Sequence, residues 1–126
     1  MILGIGTDLC AVERMGKSIQ SPAFLRRVFS AGEQALLESR SGKARAETAA
    51  ANWAAKEAFL KACGTGIGGF ALSELSVLRQ DSGAPCFVLE GKAALWAKEH
   101  RVLPHLSLTH DSGLAMAFVV LEVRDD

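Results

Sequence analysis

The sequence predicts an α+β domain in which a largely antiparallel sheet packs with one long central helix. Helix start and stop signals crowd the first half of the chain, up to Cys63, and strand pairs dominate the second. Runs of helices followed by strand pairs mark α+β, whereas strict alternation would mark a parallel α/β sheet. The alanine-rich run over residues 44–63 is the longest helical stretch. The C-terminal segments "HLSLTH" and "LAMAFVVLEV", parted by a short turn, read as an antiparallel pair.

The elements follow in order. "MILGIGTD" reads as a short apolar strand ending in a turn at Gly6-Thr7-Asp8. In "SPAF", Ser21 stands as N-cap and Pro22 at the first helical position, where its missing N–H costs nothing. In "SAGE", Ser30 with Glu33 three residues on forms a capping box, and Ser41-Gly42 closes that helix. The long helix spans about Ala44–Cys63 in Ala, Glu, Lys and Leu, with Gly64 as its αL cap. "LSELSVLRQ" and "PCFVLEG" are strands joined by a turn at Asp81-Ser82-Gly83. "KAALWAKEHRV" is an amphipathic helix with Leu95 and Trp96 as its anchors. "HLSLTH" sets Leu106 and Leu108 against His105, Ser107 and Thr109, a strand with one apolar and one polar face. Asp111-Ser112-Gly113 turns into the last strand.

Composition bounds the function. The chain has 126 residues, room for one core but not two. Fourteen basic residues balance fourteen acidic ones, so the Lys/Arg excess of a nucleic-acid binder is missing. Cys10, Cys63 and Cys86 are odd in number and lack C-x-x-C spacing, which fits reduced thiols, with Cys10 and Cys86 in the core. The N-terminus has no basic leader and long apolar run of a signal peptide, and no window nears the roughly 18 apolar residues of a membrane span. A cytoplasmic protein without membrane or nucleic-acid partners is expected.

Several residues could carry chemistry, and each also has an ordinary structural account. Asp8 follows a buried-looking strand and either caps the turn or presents a carboxylate at a fixed place. "GIGTDL" carries Leu9 where a dinucleotide fingerprint needs its third glycine, so that reading is rejected. On the long helix, Ala50, Ala54, Glu57 and Lys61 share a face, and Glu57–Lys61 has the favourable i, i+4 order of a solvated pair. "GTGIGG" follows a helix C-terminus, where the macrodipole repels anions, so an anion there needs Lys61, loop amides, the Thr65 hydroxyl or a metal. "LSLTHD" lacks the G-x-S-x-G elbow of a hydrolase, and His105, His110 and Asp111 are too few for zinc. Together, Asp8 and Glu57 are hard oxygen ligands suited to Mg²⁺, which takes one or two carboxylates plus substrate phosphates. Lys61 could neutralise a phosphate bridged by that metal.

"GIGTDL", "WAAKEAFLKACGTGIG" and "SLTHD", in this order and at this spacing, resemble the holo-acyl-carrier-protein synthases, the small bacterial type of 4′-phosphopantetheinyl transferase. The resemblance covers essentially the whole chain and implies a single phosphopantetheinyl transferase domain over residues 1–126 with that family's fold. It implies Mg²⁺-dependent transfer of the phosphopantetheine arm of coenzyme A to a serine of apo acyl carrier protein, in fatty acid biosynthesis, with release of adenosine 3′,5′-bisphosphate. Carried over by motif position, Asp8 and Glu57 hold Mg²⁺, Glu57 is the candidate base for the serine, and Lys61 offsets charge on the leaving phosphate. Lys61, Gly64, Thr65 and Gly66, with Ser107, Thr109 and His110, line the coenzyme A cleft. Arg14 takes the carrier-docking position, with Arg26 and Arg27 nearby. Members are homotrimers, and the Ala50/Ala54 face and the apolar final strand are compatible with subunit contact. One departure stands out: Asn52 precedes Trp53 where members usually carry Arg. Another cation, such as Lys43, Arg45 or Lys56, then serves the nucleotide phosphates, or coenzyme A binds more weakly. A non-catalytic nucleotide-binding module and a metal-dependent phosphohydrolase are the competing readings.

Overall fold

The computed structural model describes residues 1–64 and 69–125. The chain runs β1 (Ile2–Ala11), α1 (Val12–Ser18), α2 (Pro22–Val28), α3 (Ala31–Glu38), α4 (Gly42–Cys63), a 3₁₀ turn (Leu72–Glu74), β2 (Leu75–Arg79), β3 (Pro85–Leu89), α5 (Gly91–Glu99), β4 (Val102–Asp111) and β5 (Leu114–Val123). Two antiparallel sheets result, one ordered β1-β5-β4 and the other a β2-β3 hairpin. The α+β expectation holds. No described helix is long and apolar enough to cross a membrane.

Helix α4 is the spine, and its composition explains how. Ala49, Ala50, Ala54, Ala55, Ala58 and Phe59 are wholly buried, so the helix is covered on most sides. Small side chains let strands and helices approach its backbone closely. Phe59 fills one side, edge-on to Phe87 and Trp96, a burial worth roughly 1.5–3 kcal/mol relative to exposure. The Ala50/Ala54 face, compatible by sequence with subunit contact, is core within this one chain.

The start signals of α2 and α3 work as read, but Ser41-Gly42 does not close α3, which ends at Glu38; Ser41 and Gly42 instead open α4. The Ser21 hydroxyl accepts from the Phe24 amide, and Ser30 and Glu33 exchange both bonds of a capping box. Elsewhere the structure corrects the reading. β1 does not turn at Gly6-Thr7-Asp8 but continues to Ala11, because its pairing with β5 runs unbroken through Asp8–Ala117 and Ala11–Leu114. Helix α1 was not expected, and Gly16 disfavours it locally; burial of Val12, Met15 and Ile19 stabilises it. Residues 72–74 form a 3₁₀ turn before β2, not the start of a strand. Gly64 has positive φ (81°) but extended ψ (177°), so it ends α4 without the αL geometry expected. On α5 Trp96 anchors as expected, edge-on to Phe59 and Phe70, together with the buried Ala93 and Ala97, whereas Leu95 is 66% exposed. Cys10 and Cys86 are half-buried rather than core.

Candidate active site

β1 alternates cleanly, and the alternation places the site. Ile5, Thr7 and Leu9 face outward, while Gly4, Gly6 and Asp8 face α4. A Cβ on Gly6 would fall on the Ala58 carbonyl oxygen, and one on Gly4 on that of Ala62. The missing side chains let β1 lie flush against the helix backbone. Two residues further along the same row comes Asp8, whose carboxylate meets Lys61 of α4. Lys61 reaches back, since long helical side chains lean toward the N-terminus. Its Nζ donates to Asp8 Oδ1 at 3.1 Å and to the Thr7 carbonyl at 3.0 Å. The Asp8 side chain is 19% exposed and that of Lys61 59%. Both line a shallow cavity with Thr7, Leu9 and Met116.

Lys61 therefore pairs across to β1, and the local Glu57–Lys61 pair does not occur among the ion pairs of the described residues. The second oxygen of Asp8 has no protein partner among the described residues. That leaves it available to a cation; Glu57, one turn before Lys61 on α4, is half-buried. No cluster of three or more metal-ligating side chains exists among the described residues. Two carboxylates suffice for Mg²⁺ when substrate phosphates and water complete its shell. The donor set thus fits that ion and suits neither zinc nor a closed protein cage.

The C-terminal candidates divide between two faces of the sheet. Through the β4–β5 register, Ser107 sits opposite Phe118 and Thr109 opposite Met116 on the outer face. His110 lies on the helix side, its Nδ1 3.5 Å from Glu47 Oε2. Thr109 and His110 line a cavity of about 450 Å³ together with Arg40, Thr48 and Arg79, separate from the one at Asp8 and Lys61. Gly64 closes α4, its amide donating to the Lys61 carbonyl. Thr65 and Gly66 lie outside the described residues. Arg14, Arg26 and Arg27 are exposed on α1 and α2.

Lys56 is excluded as a cation for a ligand. It is wholly buried and spends its three protons on Glu33 Oε1 (2.6 Å) and the carbonyls of Leu72 (2.9 Å) and Leu75 (2.8 Å). Burial pushes the Lys56 ammonium down and the Glu33 carboxyl up, each opposed by the charge of the other. Asn52 completes this network: Nδ2 donates to Glu33 Oε2 at 3.0 Å and to the Val77 carbonyl at 2.9 Å. Its Oδ1 accepts from Arg79 Nη2 at 3.0 Å. Sequence reading marked Glu33 only as a capping residue and passed over Arg79, since their partners come from three separate elements.

The glycine-lined strand lying flush on α4 and the Asp8–Lys61 pair across that contact frame the candidate site. Residues 4–119 match the 4′-phosphopantetheinyl transferase superfamily. The chain is 43% identical to the holo-[acyl-carrier-protein] synthase of Methylobacterium sp., over 100% of this chain and 98% of that one. It is 44% identical to the enzyme so named from Cereibacter sphaeroides, over 98% and 95% of the two chains. Among solved structures, the holo-(acyl-carrier-protein) synthase of Bacillus anthracis in complex with CoA (3′,5′-ADP) superposes with a TM-score of 0.83 at 32% identity, covering 98% and 99%. That of Neisseria meningitidis gives 0.86 at 30% identity, covering 97% and 99%. The chain belongs to the holo-[acyl-carrier-protein] synthase family of that superfamily, and it is an enzyme of the phosphopantetheinyl transferase type.

Proposed function

We propose that the protein transfers the 4′-phosphopantetheine arm of coenzyme A to a serine of apo acyl carrier protein, in the cytoplasm and for fatty acid biosynthesis. The observation that carries this reading is Lys61 bound to Asp8 at 3.1 Å, one helical turn from Glu57. The serine oxygen forms a bond to the phosphorus bearing pantetheine, the P–O bond to the second phosphate breaks, and adenosine 3′,5′-bisphosphate leaves. Asp8 and Glu57 are the groups that would hold Mg²⁺, and the ion supplies positive charge to the pyrophosphate when bound. Glu57 takes the serine proton, directly or through a water. Lys61, fixed by Asp8 and the Thr7 carbonyl, places an ammonium beside the phosphate whose charge grows as the bond breaks. The carrier is acidic, and the exposed guanidinium groups of Arg14, Arg26 and Arg27 form the docking surface.

The working unit is a homotrimer. Ile5, Leu9, Met116 and Phe118 are 60%, 61%, 37% and 40% exposed and lie in one patch on the outer face of the β1-β5-β4 sheet. A large exposed apolar patch on a folded chain marks an interaction surface. Neighbouring copies covering it would bring their own residues beside Thr7, Ser107 and Thr109, which share that face. The test is to incubate the protein with Mg²⁺, coenzyme A and an apo carrier and to weigh the carrier by mass spectrometry. A gain of one phosphopantetheine is expected. Hydrolysed coenzyme A with an unmodified carrier would instead make the protein a phosphohydrolase and overturn the reading.

A further inference from the structure

The C-terminal ends of α5 and β5 meet over a cavity of about 370 Å³ lined by Ala97, Lys98, Arg101, Val102 and Arg124. Three of these five residues are cations, and no carboxylate lines the cavity with them. Their main chains are bonded in series. The Arg101 amide donates to the Lys98 carbonyl at 3.3 Å, and the Arg124 amide donates to the Arg101 carbonyl at 3.0 Å. The backbone thus fixes the roots of three cationic side chains beside one another. None of the three takes part in an ion pair among the described residues. Glu99 and Asp125, next to Lys98 and Arg124 in sequence, are exposed and do not line the cavity. Glu122 is engaged with His105 Nε2 at 2.9 Å.

The dipole of α5 explains one cation here but not three. Lys98 sits in the last turn, where a positive charge complements the helix C-terminus. Arg101 follows the C-cap His100 and has a φ of 55°. Glycine is the residue that takes this left-handed conformation without a Cβ clash, and it is the usual occupant of that position. An arginine held there against its backbone preference, beside two further cations, points to a use for its charge.

We propose that Lys98, Arg101 and Arg124 form a binding site for an oligophosphate, a chain of two or three phosphate groups, separate from the transfer site. A single phosphate carries roughly 1.5–2 negative charges near neutrality, so three cations match a longer chain. Two arginine forks meet phosphate oxygens in pairs, and the lysine adds a point charge. The cavity falls within the roughly 300–1,000 Å³ of small-ligand sites. Its apolar lining is Ala97 and Val102, with no aromatic face for a base, so the phosphate chain is the part recognised. Arg124 follows the end of β5 that pairs with the start of β1, roughly 20 Å along the strand from the partner of Asp8. The cavity shares no lining residue with the one at Asp8 and Lys61 or with the one at the end of β4.

Calorimetry without added magnesium tests the site, with inorganic tripolyphosphate, adenosine 5′-triphosphate and orthophosphate as probes. The proteins are the unmodified chain, Lys61→Ala, Lys98→Met, Arg101→Gly and Arg124→Met. Tripolyphosphate is expected to bind the unmodified chain and Lys61→Ala alike, and orthophosphate roughly 10-fold more weakly. Lys98→Met, Arg101→Gly and Arg124→Met should each weaken tripolyphosphate by roughly 3- to 10-fold, between the scale of a solvated ion pair and that of a charge-assisted hydrogen bond. Arg101→Gly carries a second signature. It puts glycine at the left-handed position, so the variant should melt no lower than the parent while binding less. Lys98→Met and Arg124→Met, both exposed, keep the test open should Arg101→Gly melt lower. Equal binding of the triphosphate nucleotide and tripolyphosphate names the bare phosphate chain as ligand; tighter nucleotide binding that Arg101→Gly still weakens names a nucleotide as its source. Tripolyphosphate that fails to bind the unmodified chain, is lost in Lys61→Ala, or binds undiminished to folded Arg101→Gly and Arg124→Met overturns the site.

Discussion

Lys61 Nζ lies 3.1 Å from Asp8 Oδ1, joining residues separated by 53 positions across the contact between α4 and β1. With the Lys61 side chain 59% exposed, the pair contributes under about 1 kcal/mol to stability. On the proposed reading its placement serves chemistry more than folding. Asp8→Asn, Glu57→Gln and Lys61→Ala are accordingly expected to abolish carrier modification, Glu57→Gln by about 10²–10⁴-fold if it is the base. Each variant should melt within a few degrees of the parent. Carrier mass after timed incubation measures the first effect and circular dichroism the second; turnover retained in any of the three would remove the role assigned to that residue.

The Glu33–Lys56 pair behaves oppositely. Both side chains are 0% exposed, and removing one partner strands a buried charge at about 3–5 kcal/mol. Lys56→Met should therefore shift the urea midpoint strongly. Adding Glu33→Gln removes the stranded carboxylate, so the double variant should lose less than the two single losses added together. Strict additivity would show that the two groups do not interact as the 2.6 Å contact requires.

Phe118 stands 40% exposed at the centre of the outer sheet face, opposite Thr7 on one side and Ser107 on the other. Phe118→Asp places a charge in the exposed apolar patch proposed as the subunit contact. On the proposed trimer, light scattering should then record one chain where the parent records three, with transfer falling alongside. An unchanged trimer would move the subunit contact elsewhere.

Burial raises the Cys63 thiol from 9.0 to about 11. The folded state thus holds its proton more tightly than the unfolded state does. Between pH 9 and about 11 the unfolded thiol is ionised while the folded one is not, so stability is full below pH 9 and declines as pH rises through that window. Half-burial of Cys63 keeps the decline small. Alkylation of native Cys63 by iodoacetamide at pH 8 should be slower than that of a free cysteine, because the thiolate is the nucleophile. Labelling as fast as free cysteine would contradict the shift.

What the sequence determined by itself are the features written in local chemistry. Ser21-Pro22 and Ser30–Glu33 start helices because a hydroxyl and a carboxylate satisfy amides within three residues of themselves. The run to Cys63 is helical through its alanines, and β4 and β5 alternate or run apolar over ten residues. The motifs around Asp8, Glu57 and "SLTHD" pointed to the transferase family before any coordinates. Other facts depend on partners distant in the chain. That Gly6 continues a strand instead of opening a turn follows from β5 on one side and the Ala58 carbonyl on the other. Local spacing pairs Lys61 with Glu57, and only the packing of β1 on α4 turns it to Asp8. Lys56 looks like any helical lysine until Glu33 and the carbonyls of Leu72 and Leu75 enclose it. Arg79 looks like a strand-end cation until Asn52 anchors it. Electrostatic partners are chosen in space, by which elements meet and how much water the meeting excludes, and no window of neighbouring residues contains that choice.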